Sequence, residues 1–127
     1  MNAKSILSAL AGLAFAVSAP AAMAHGSTKP RHGGVTQVSG EMVIELVRSA
    51  KGADVYVVEE DEPVAASGLD GKITVSAAGA KQSVPLVAGA GNRLSAPGLV
   101  VPAGAKVVVA LVTKADGAKA FVTFDPK

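Results

Sequence analysis

The chain has 127 residues, and its 12 Lys and Arg against 10 Asp and Glu give a formal net charge of +2. This length corresponds to about one domain. The absence of cysteine excludes a disulfide framework, a thiol nucleophile, a thiolate zinc site and a lipid-modified N-terminal cysteine. The small net charge and the 3% aromatic content argue against nucleic-acid binding, which requires a basic face and usually stacking side chains.

Residues 1–24 have the pattern of a secretory signal peptide. Lys4 provides a positive n-region, and the apolar run SILSALAGLAFAV follows it. Ala22-Met23-Ala24 is a small-x-small cleavage site in front of His25, and a cut after Ala21 is an alternative. The apolar run is too short to span a bilayer, which argues against an N-terminal membrane anchor. The sequence therefore predicts an exported periplasmic protein that is not a lipoprotein and has no membrane span after cleavage.

Residues 25–34 (HGSTKPRHGG) contain no hydrophobic side chain. Pro30 disfavours a helix within this segment, and Gly33-Gly34 is typical of a flexible joint. We therefore expect residues 25–34 to form a flexible, histidine-containing arm in front of a folded domain at residues 35–127.

From Val35 onward, short β-branched runs alternate with turn residues at intervals of about 8–12 residues. No stretch of ten residues in this part has helical periodicity without Gly or Pro. The pattern predicts an all-β fold, an antiparallel β-sandwich (Ig-like) of seven or eight short strands. The predicted strands are Val35–Val38, Met42–Val47, Asp54–Glu59, Lys72–Ser76, Lys81–Leu86, Arg93–Ser95, Lys106–Thr113 and Ala118–Phe124.

Four of these segments carry further expectations. Asp54–Glu59 is almost continuously apolar, as in a strand that is buried on both sides. Lys106–Thr113 is the most hydrophobic segment and is predicted to be central, whereas Pro85 marks Lys81–Leu86 as an edge strand. Asp116-Gly117 predicts a type I′ hairpin turn.

The two histidines are the candidate metal ligands. If cleavage occurs in front of His25, its α-amine and its Nδ1 form a chelate, and His32 supplies a third nitrogen for Cu(II) or another divalent metal. The alternative is that both histidines are solvated members of a disordered tail. Two histidines alone are a weak metal-binding signal, so both interpretations remain open.

The other candidate residues favour structural roles. The acidic run Glu59–Glu62 lacks the spacing of a calcium loop and is typical of a solvated hairpin tip. Met42 is in phase with Ile44 and Leu46, on the face opposite Glu45, which indicates a core residue rather than a Cu(I) ligand. Lys29 and Arg31 are typical of a solvated tail.

The serines do not have the surroundings of a catalytic nucleophile. They lack a G-x-S-x-G frame, and the chain has no further histidine that could act as a base. The sequence therefore predicts that the protein is not an enzyme.

The motif His32-Gly33-Gly34, followed by Glu45-Leu46-Val47, resembles the start of a family of small periplasmic HGG-type β-sandwich proteins. The same module stands in front of some heavy-metal (RND-type) efflux periplasmic adaptor subunits. The resemblance covers His32 to the C-terminus and continues through Pro63-Val64, Gly71–Val75, Val84–Leu86, Gly91–Leu94, Pro102–Lys106 and Asp116–Phe124. In that family a histidine often lies two residues before the glutamate, and here that position is Val43.

The resemblance implies an accessory role in heavy-metal handling, with copper as one candidate metal and His32 as the matching ligand. The first hypothesis is therefore a protein that captures a metal through its N-terminal arm. The second is a non-enzymatic module that docks a periplasmic partner, such as an efflux adaptor, through the edge strand Lys81–Leu86. A copper oxidase built on His25 is disfavoured, because His32 is followed by two glycines rather than held on a rigid element.

Overall fold

The computed structural model describes residues 26–125, which form one antiparallel β-structure. Within this range there is a single 3-10 turn, Ala66–Gly68, and no α-helix. The all-β prediction is therefore confirmed. The strands are β1 (Val35–Ser39), β2 (Met42–Ser49), β3 (Gly52–Glu59), β4 (Glu62–Pro63), β5 (Leu69–Ala77), β6 (Ala80–Ala88), β7 (Arg93–Pro97), β8 (Lys106–Thr113) and β9 (Lys119–Phe124).

The predicted signal peptide and His25 lie outside the described residues. In residues 26–125, no helix has the length and apolar character needed to cross a membrane.

The strands follow one continuous hydrogen-bonded path in the order β1-β2-β3-β7-β6-β5-β8-β9, and β4 pairs with the end of β3. The path bends back on itself, so that β1 lies next to β9. At this seam the Phe121 N–H donates to Ser39 Oγ at 3.3 Å. The result is a nearly closed sheet, and the two separate sheets of the predicted sandwich are not confirmed.

The core lies inside this nearly closed sheet and is aliphatic. Alternate residues of each strand point inward, as the two-residue period of a strand requires. The largest fully buried side chains are Ile44, Val55, Val57, Ile73, Leu94, Val107, Val109 and Leu111. Met42 packs against this core, which agrees with the interpretation of Met42 as a core residue rather than a metal ligand.

The strand positions agree with the predictions at several points. β8 pairs with β5 on one side and with β9 on the other, so it is central as expected. β6 pairs with β5 along its length but with β7 only through Val87 and Ala88, which leaves Lys81–Leu86 with one open side. Pro85 lies opposite Lys72 in β5. A proline is tolerated within a strand where its nitrogen faces away from the neighbouring strand, so Pro85 belongs to the open side.

Two turn predictions differ from the structure. The type I′ turn predicted at Asp116-Gly117 is wrong: only Gly117 has a positive φ, and Thr113 instead pairs with Ala118 across a longer loop. The short turn of this kind occurs at Glu60-Asp61, where both φ values are positive (49° and 65°) and β3 meets β4. A charged sequence without glycine does not carry the usual signal for such a turn.

Candidate functional site

The candidate site lies on the outer surface of β2 and β3. Residues 26–34, the N-terminal segment, fold back over the sheet at this place. Glu45 of β2 and Tyr56 of β3 are direct neighbours across the strand pair, and both side chains point outward. His32 lies against both of them. Of the two predicted metal ligands, the structure therefore locates His32, whereas His25 lies outside the described residues.

Glu45 anchors this segment. Its residue is only 4% exposed, and its carboxylate accepts backbone N–H bonds from Arg31 (3.0 Å), His32 (2.9 Å) and Gly34 (2.9 Å). Successive N–H groups that converge on one acceptor form an anion-binding concavity. Here a glutamate of the same chain occupies that concavity. The contacts join residues 31–34, which the sequence predicted to be a flexible arm, to the surface of the sheet.

The two glycines of the H-G-G motif make this geometry accessible. Gly33 has φ +75°, in the left-handed region that an L side chain rarely adopts. A Cβ at Gly34 would collide with the carbonyl oxygen of Leu46. The first glycine therefore turns the chain around the carboxylate, and the second brings the backbone close to β2.

The His32 ring has two defined contacts. It stacks on the Tyr56 ring with a centroid separation of 3.5 Å and an interplanar angle of 8°. Its Nδ1 lies 3.0 Å from Glu45 Oε1. The His32 side chain remains 38% exposed, and no hydrogen bond joins Nε2 to another residue in the range 26–125. The His32 ring is thus held at its Nδ1 edge and open at its Nε2 edge.

The electrostatics of Glu45 determine which nitrogen of His32 carries the proton. Burial raises the pKa of Glu45, but the hydrogen bonds from the His32 ring and from the Gly34, His32 and Arg31 backbone outweigh burial and lower this pKa. Glu45 is therefore ionised at neutral pH and is only an acceptor. Since Nδ1 must donate to it, the lone pair of the neutral His32 ring is on Nε2.

A second set of contacts, made by Asp61, holds Ser27 and Arg31 of the N-terminal segment. Asp61, at the β3–β4 turn, accepts a hydrogen bond from the Ser27 N–H at 2.7 Å. The Arg31 guanidinium lies 3.5 Å from the Asp61 carboxylate and also donates to the Asp61 carbonyl at 3.3 Å. Both side chains are about half exposed, so the ion pair contributes little stability. The acidic run at residues 59–62 therefore includes one residue that fastens the segment.

Residues 26–125 contain one histidine, His32. No group of three or more His, Cys, Asp or Glu side chains in residues 26–125 lies close enough together to hold a metal ion. Val43, the position at which the resembled family often has a histidine, is 7% exposed and lines the cleft beside His32. A complete site would therefore need donors from residues in front of Gly26. The His32 ring has the surroundings of a metal ligand, because a carboxylate that is hydrogen-bonded to one histidine nitrogen orients the other nitrogen toward a metal.

Sequence reasoning missed Glu45 and Tyr56. The alternation in β2 correctly placed Glu45 on the face opposite Met42, Ile44 and Leu46, but it could not indicate that another segment covers that face. The near-continuous apolar run of β3 was the sequence signal that the outer surface of this strand is covered. Val58 points outward yet is only 7% exposed, because the N-terminal segment lies over this surface.

No family model, no curated protein and no solved structure matches this chain. The resemblance to the HGG-type periplasmic module therefore stays a prediction that depends on the motifs themselves.

Proposed function

We propose that the protein is a small exported periplasmic protein that binds a metal, copper or another divalent cation, through its N-terminal histidines, as an accessory to heavy-metal handling. His32 is the ligand on the folded domain, and His25 with its α-amine supplies the remaining nitrogens. The observation that carries the proposal is the contact of His32 Nδ1 with the buried Glu45 carboxylate, which leaves Nε2 as the free donor.

Three features of this contact support a ligand role. A carboxylate that is hydrogen-bonded to Nδ1 makes Nε2 a more basic metal ligand. Mutation of such a carboxylate commonly changes metal affinity by about 10–100-fold. The stack on Tyr56 fixes the ring plane, so a metal does not have to order this side chain. The ring is also still 38% exposed, which allows a solvated ion to reach it.

The proposed second ligand is within reach. His25 precedes His32 by seven residues, a distance that spans about 23–25 Å when the chain is extended and much less when it folds back. An N-terminal histidine provides an amine and an imidazole that close a favourable chelate ring around Cu(II). This part of the proposal requires cleavage after Ala24.

The test uses the processed protein recovered after export. Its N-terminus is read by intact mass, and Cu(II) is titrated by calorimetry and electron paramagnetic resonance. We expect a start at His25 and one submicromolar site with nitrogen hyperfine structure. His32→Ala and His32→Asn both remove the site, although the Asn amide still donates to Glu45 and preserves the fold. Glu41→Gln, an exposed acid next to β2, leaves the titration unchanged.

A mature N-terminus elsewhere than His25, weak and unsaturating binding, or a His32→Asn variant with the wild-type affinity would contradict the proposal. A loss of binding in His32→Ala with retention in His32→Asn would mean that the fold, and not the imidazole, is needed.

The open side of β6 supports a second candidate function, a non-enzymatic module that docks a periplasmic partner such as an efflux component. Lys81–Leu86 has strand neighbours on one side only, and its exposed residues face solvent. Pro85 removes one donor from that side, so any added strand would pair incompletely. The double variant His25→Ala with His32→Ala separates the candidates: it abolishes metal binding but leaves partner capture intact.

A further inference from the structure

The outer surface of β5, β6, β8 and β9 has a composition unlike that of the surface that carries His32. The register fixes which residues point outward: Ser83 of β6 is opposite Thr74 of β5, and Thr74 is opposite Val108 of β8. We call this surface the lysine face. Its outward residues are Asp70, Lys72, Thr74 and Ser76 of β5, Lys81, Ser83, Pro85 and Val87 of β6, Lys106, Val108, Ala110 and Val112 of β8, and Lys119, Phe121 and Thr123 of β9.

The lysine face combines cations with exposed apolar side chains. Its four lysines are all exposed and are distributed over all four strands. Lys81 and Lys106 are both opposite Ser76, which places their backbones two strand spacings, or about 10 Å, apart. Phe121 is 65% exposed and Val87 is 57% exposed. Phe121 is opposite Ala110, and Val108 and Val112 of β8 lie to either side on the same face. Exposed apolar residues that lie together in this way mark an interaction surface.

The charges of the chain are separated in the same way. Residues 26–68 carry seven Asp and Glu against four Lys and Arg, whereas residues 69–125 carry three against six. None of the four lysines of the lysine face forms an ion pair with a carboxylate of residues 26–125. Asp70, the one carboxylate among the outward residues of the lysine face, pairs instead with Lys114 at 3.9 Å. The small net charge of the whole chain therefore conceals one basic surface.

We propose that the lysine face docks on the surface of a bilayer that contains anionic phospholipids. The lysine ammonium groups contact lipid phosphates, and the exposed Phe121 ring enters the headgroup region. This inference goes beyond the proposed metal binding and does not depend on it.

Composition favours a lipid surface over a protein partner. Lysine is depleted from protein–protein interfaces. Lysines combined with exposed phenylalanine are typical of the amphipathic helices that lie at a membrane surface, and the lysine face presents the same combination on a sheet. Long lysine stems cover apolar area while their charged ends reach outward, which suits contact with headgroups. The four lysines are spread across the width of a sheet rather than gathered in one pocket, so a single small anion would not contact all of them. A lipid surface presents phosphates over the whole area.

The expected strength follows from the charge count. Each lysine near an anionic bilayer strengthens binding by about fivefold, and this contribution falls with added salt. Loss of two lysines should therefore weaken binding by about 25-fold.

The test measures sedimentation of the processed, exported protein with vesicles of phosphatidylcholine containing 30% phosphatidylglycerol. We expect binding at low salt, no binding to pure phosphatidylcholine, and a decrease of about 25-fold in Lys81→Gln with Lys106→Gln. The matched control, Arg48→Gln with Lys51→Gln, removes two exposed charges from the other half of the protein and should change binding by less than about threefold. Phe121→Ser should remove the binding that persists at higher salt. Circular dichroism verifies that each variant is folded.

Equal weakening by the two double variants would overturn the proposal, because binding would then follow net charge and not the lysine face. No sedimentation with anionic vesicles at low salt would also overturn it. If Phe121-dependent dimers then formed in analytical ultracentrifugation, the occupant of the lysine face would be a second copy of the chain. Capture of an acidic protein without vesicle binding would assign the face to a protein partner.

Discussion

The two outer surfaces of the sheet each carry one outward aromatic residue, and they differ in what covers it. Tyr56 of β3 is stacked under His32 and half-buried, whereas Phe121 of β9 is 65% exposed. The difference comes from Glu45, the strand neighbour of Tyr56, which accepts the backbone N–H groups of the N-terminal segment. Phe121 has Ala110 at the corresponding position, and alanine offers no acceptor.

One buried carboxylate, that of Glu45, thus determines which surface of the sheet is covered. The covered surface has a hydrogen-bonded histidine and a fixed ring geometry, which suits ligand binding. The uncovered surface has an exposed phenylalanine and four lysines that form no ion pair with the carboxylates of residues 26–125, which suits docking.

The largest effect is expected for Glu45→Ala. This change leaves three backbone N–H groups and the His32 ring without their acceptor, and it should lower the free energy of unfolding by about 2–3 kcal/mol. Urea unfolding measures the change. Glu41→Ala, at an exposed position just before β2, should stay within about 0.5 kcal/mol. Equal effects of the two variants would mean that Glu45 does not hold the segment.

A somewhat smaller loss, of about 2 kcal/mol, is expected for Gly34→Ala, because the new Cβ would collide with the Leu46 carbonyl and push the segment off the sheet. Hydrogen exchange should then reveal faster exchange at the His32 amide. The control is Gly68→Ala, where no atom lies within 4 Å of the added Cβ. Retention of slow exchange in Gly34→Ala would argue against the close approach.

The two aromatic residues should respond differently to the same change. Tyr56→Ser removes the stack with His32 and should cost about 1 kcal/mol. Phe121→Ser should change the free energy of unfolding by less than about 0.5 kcal/mol, because most of that side chain is already in water. A larger loss of unfolding free energy in Phe121→Ser than in Tyr56→Ser would mean that Phe121, and not Tyr56, is the covered aromatic residue.

The smallest effect is the pH dependence that Glu45 contributes. Its pKa is lowered in the folded protein, so its contribution is complete above the unfolded value of a glutamate, about 4.3, and is lost as pH falls through the folded value. The difference in unfolding free energy between the wild type and Glu45→Gln should therefore reach its full value above about pH 5 and shrink below about pH 4. A difference that grows with acidification would mean that the pKa of Glu45 is raised, not lowered.

The fold class and most strand positions could be predicted because local alternation and turn residues determine them. Strand order and sheet closure could not, because the pairing of β3 with β7 and the approach of β1 to β9 join distant parts of the chain. His32 was identified by its residue type and by the His32-Gly33-Gly34 motif. Its partners Glu45 and Tyr56 were missed, since a glutamate and a tyrosine on the outer side of a strand have the same local pattern whether solvent or another segment covers them.

The most direct test of the central claim is long-range ¹H–¹⁵N NMR of the His32 ring at pH 7.5, before and after addition of Zn²⁺. We expect a protonated Nδ1 and an unprotonated Nε2 whose resonance shifts when the metal is added. In Glu45→Gln the preference for this tautomer should weaken, and zinc should bind less tightly. A ring protonated at Nε2, or an Nε2 resonance that does not respond to zinc at millimolar concentration, would contradict the assignment of His32 as an oriented metal ligand.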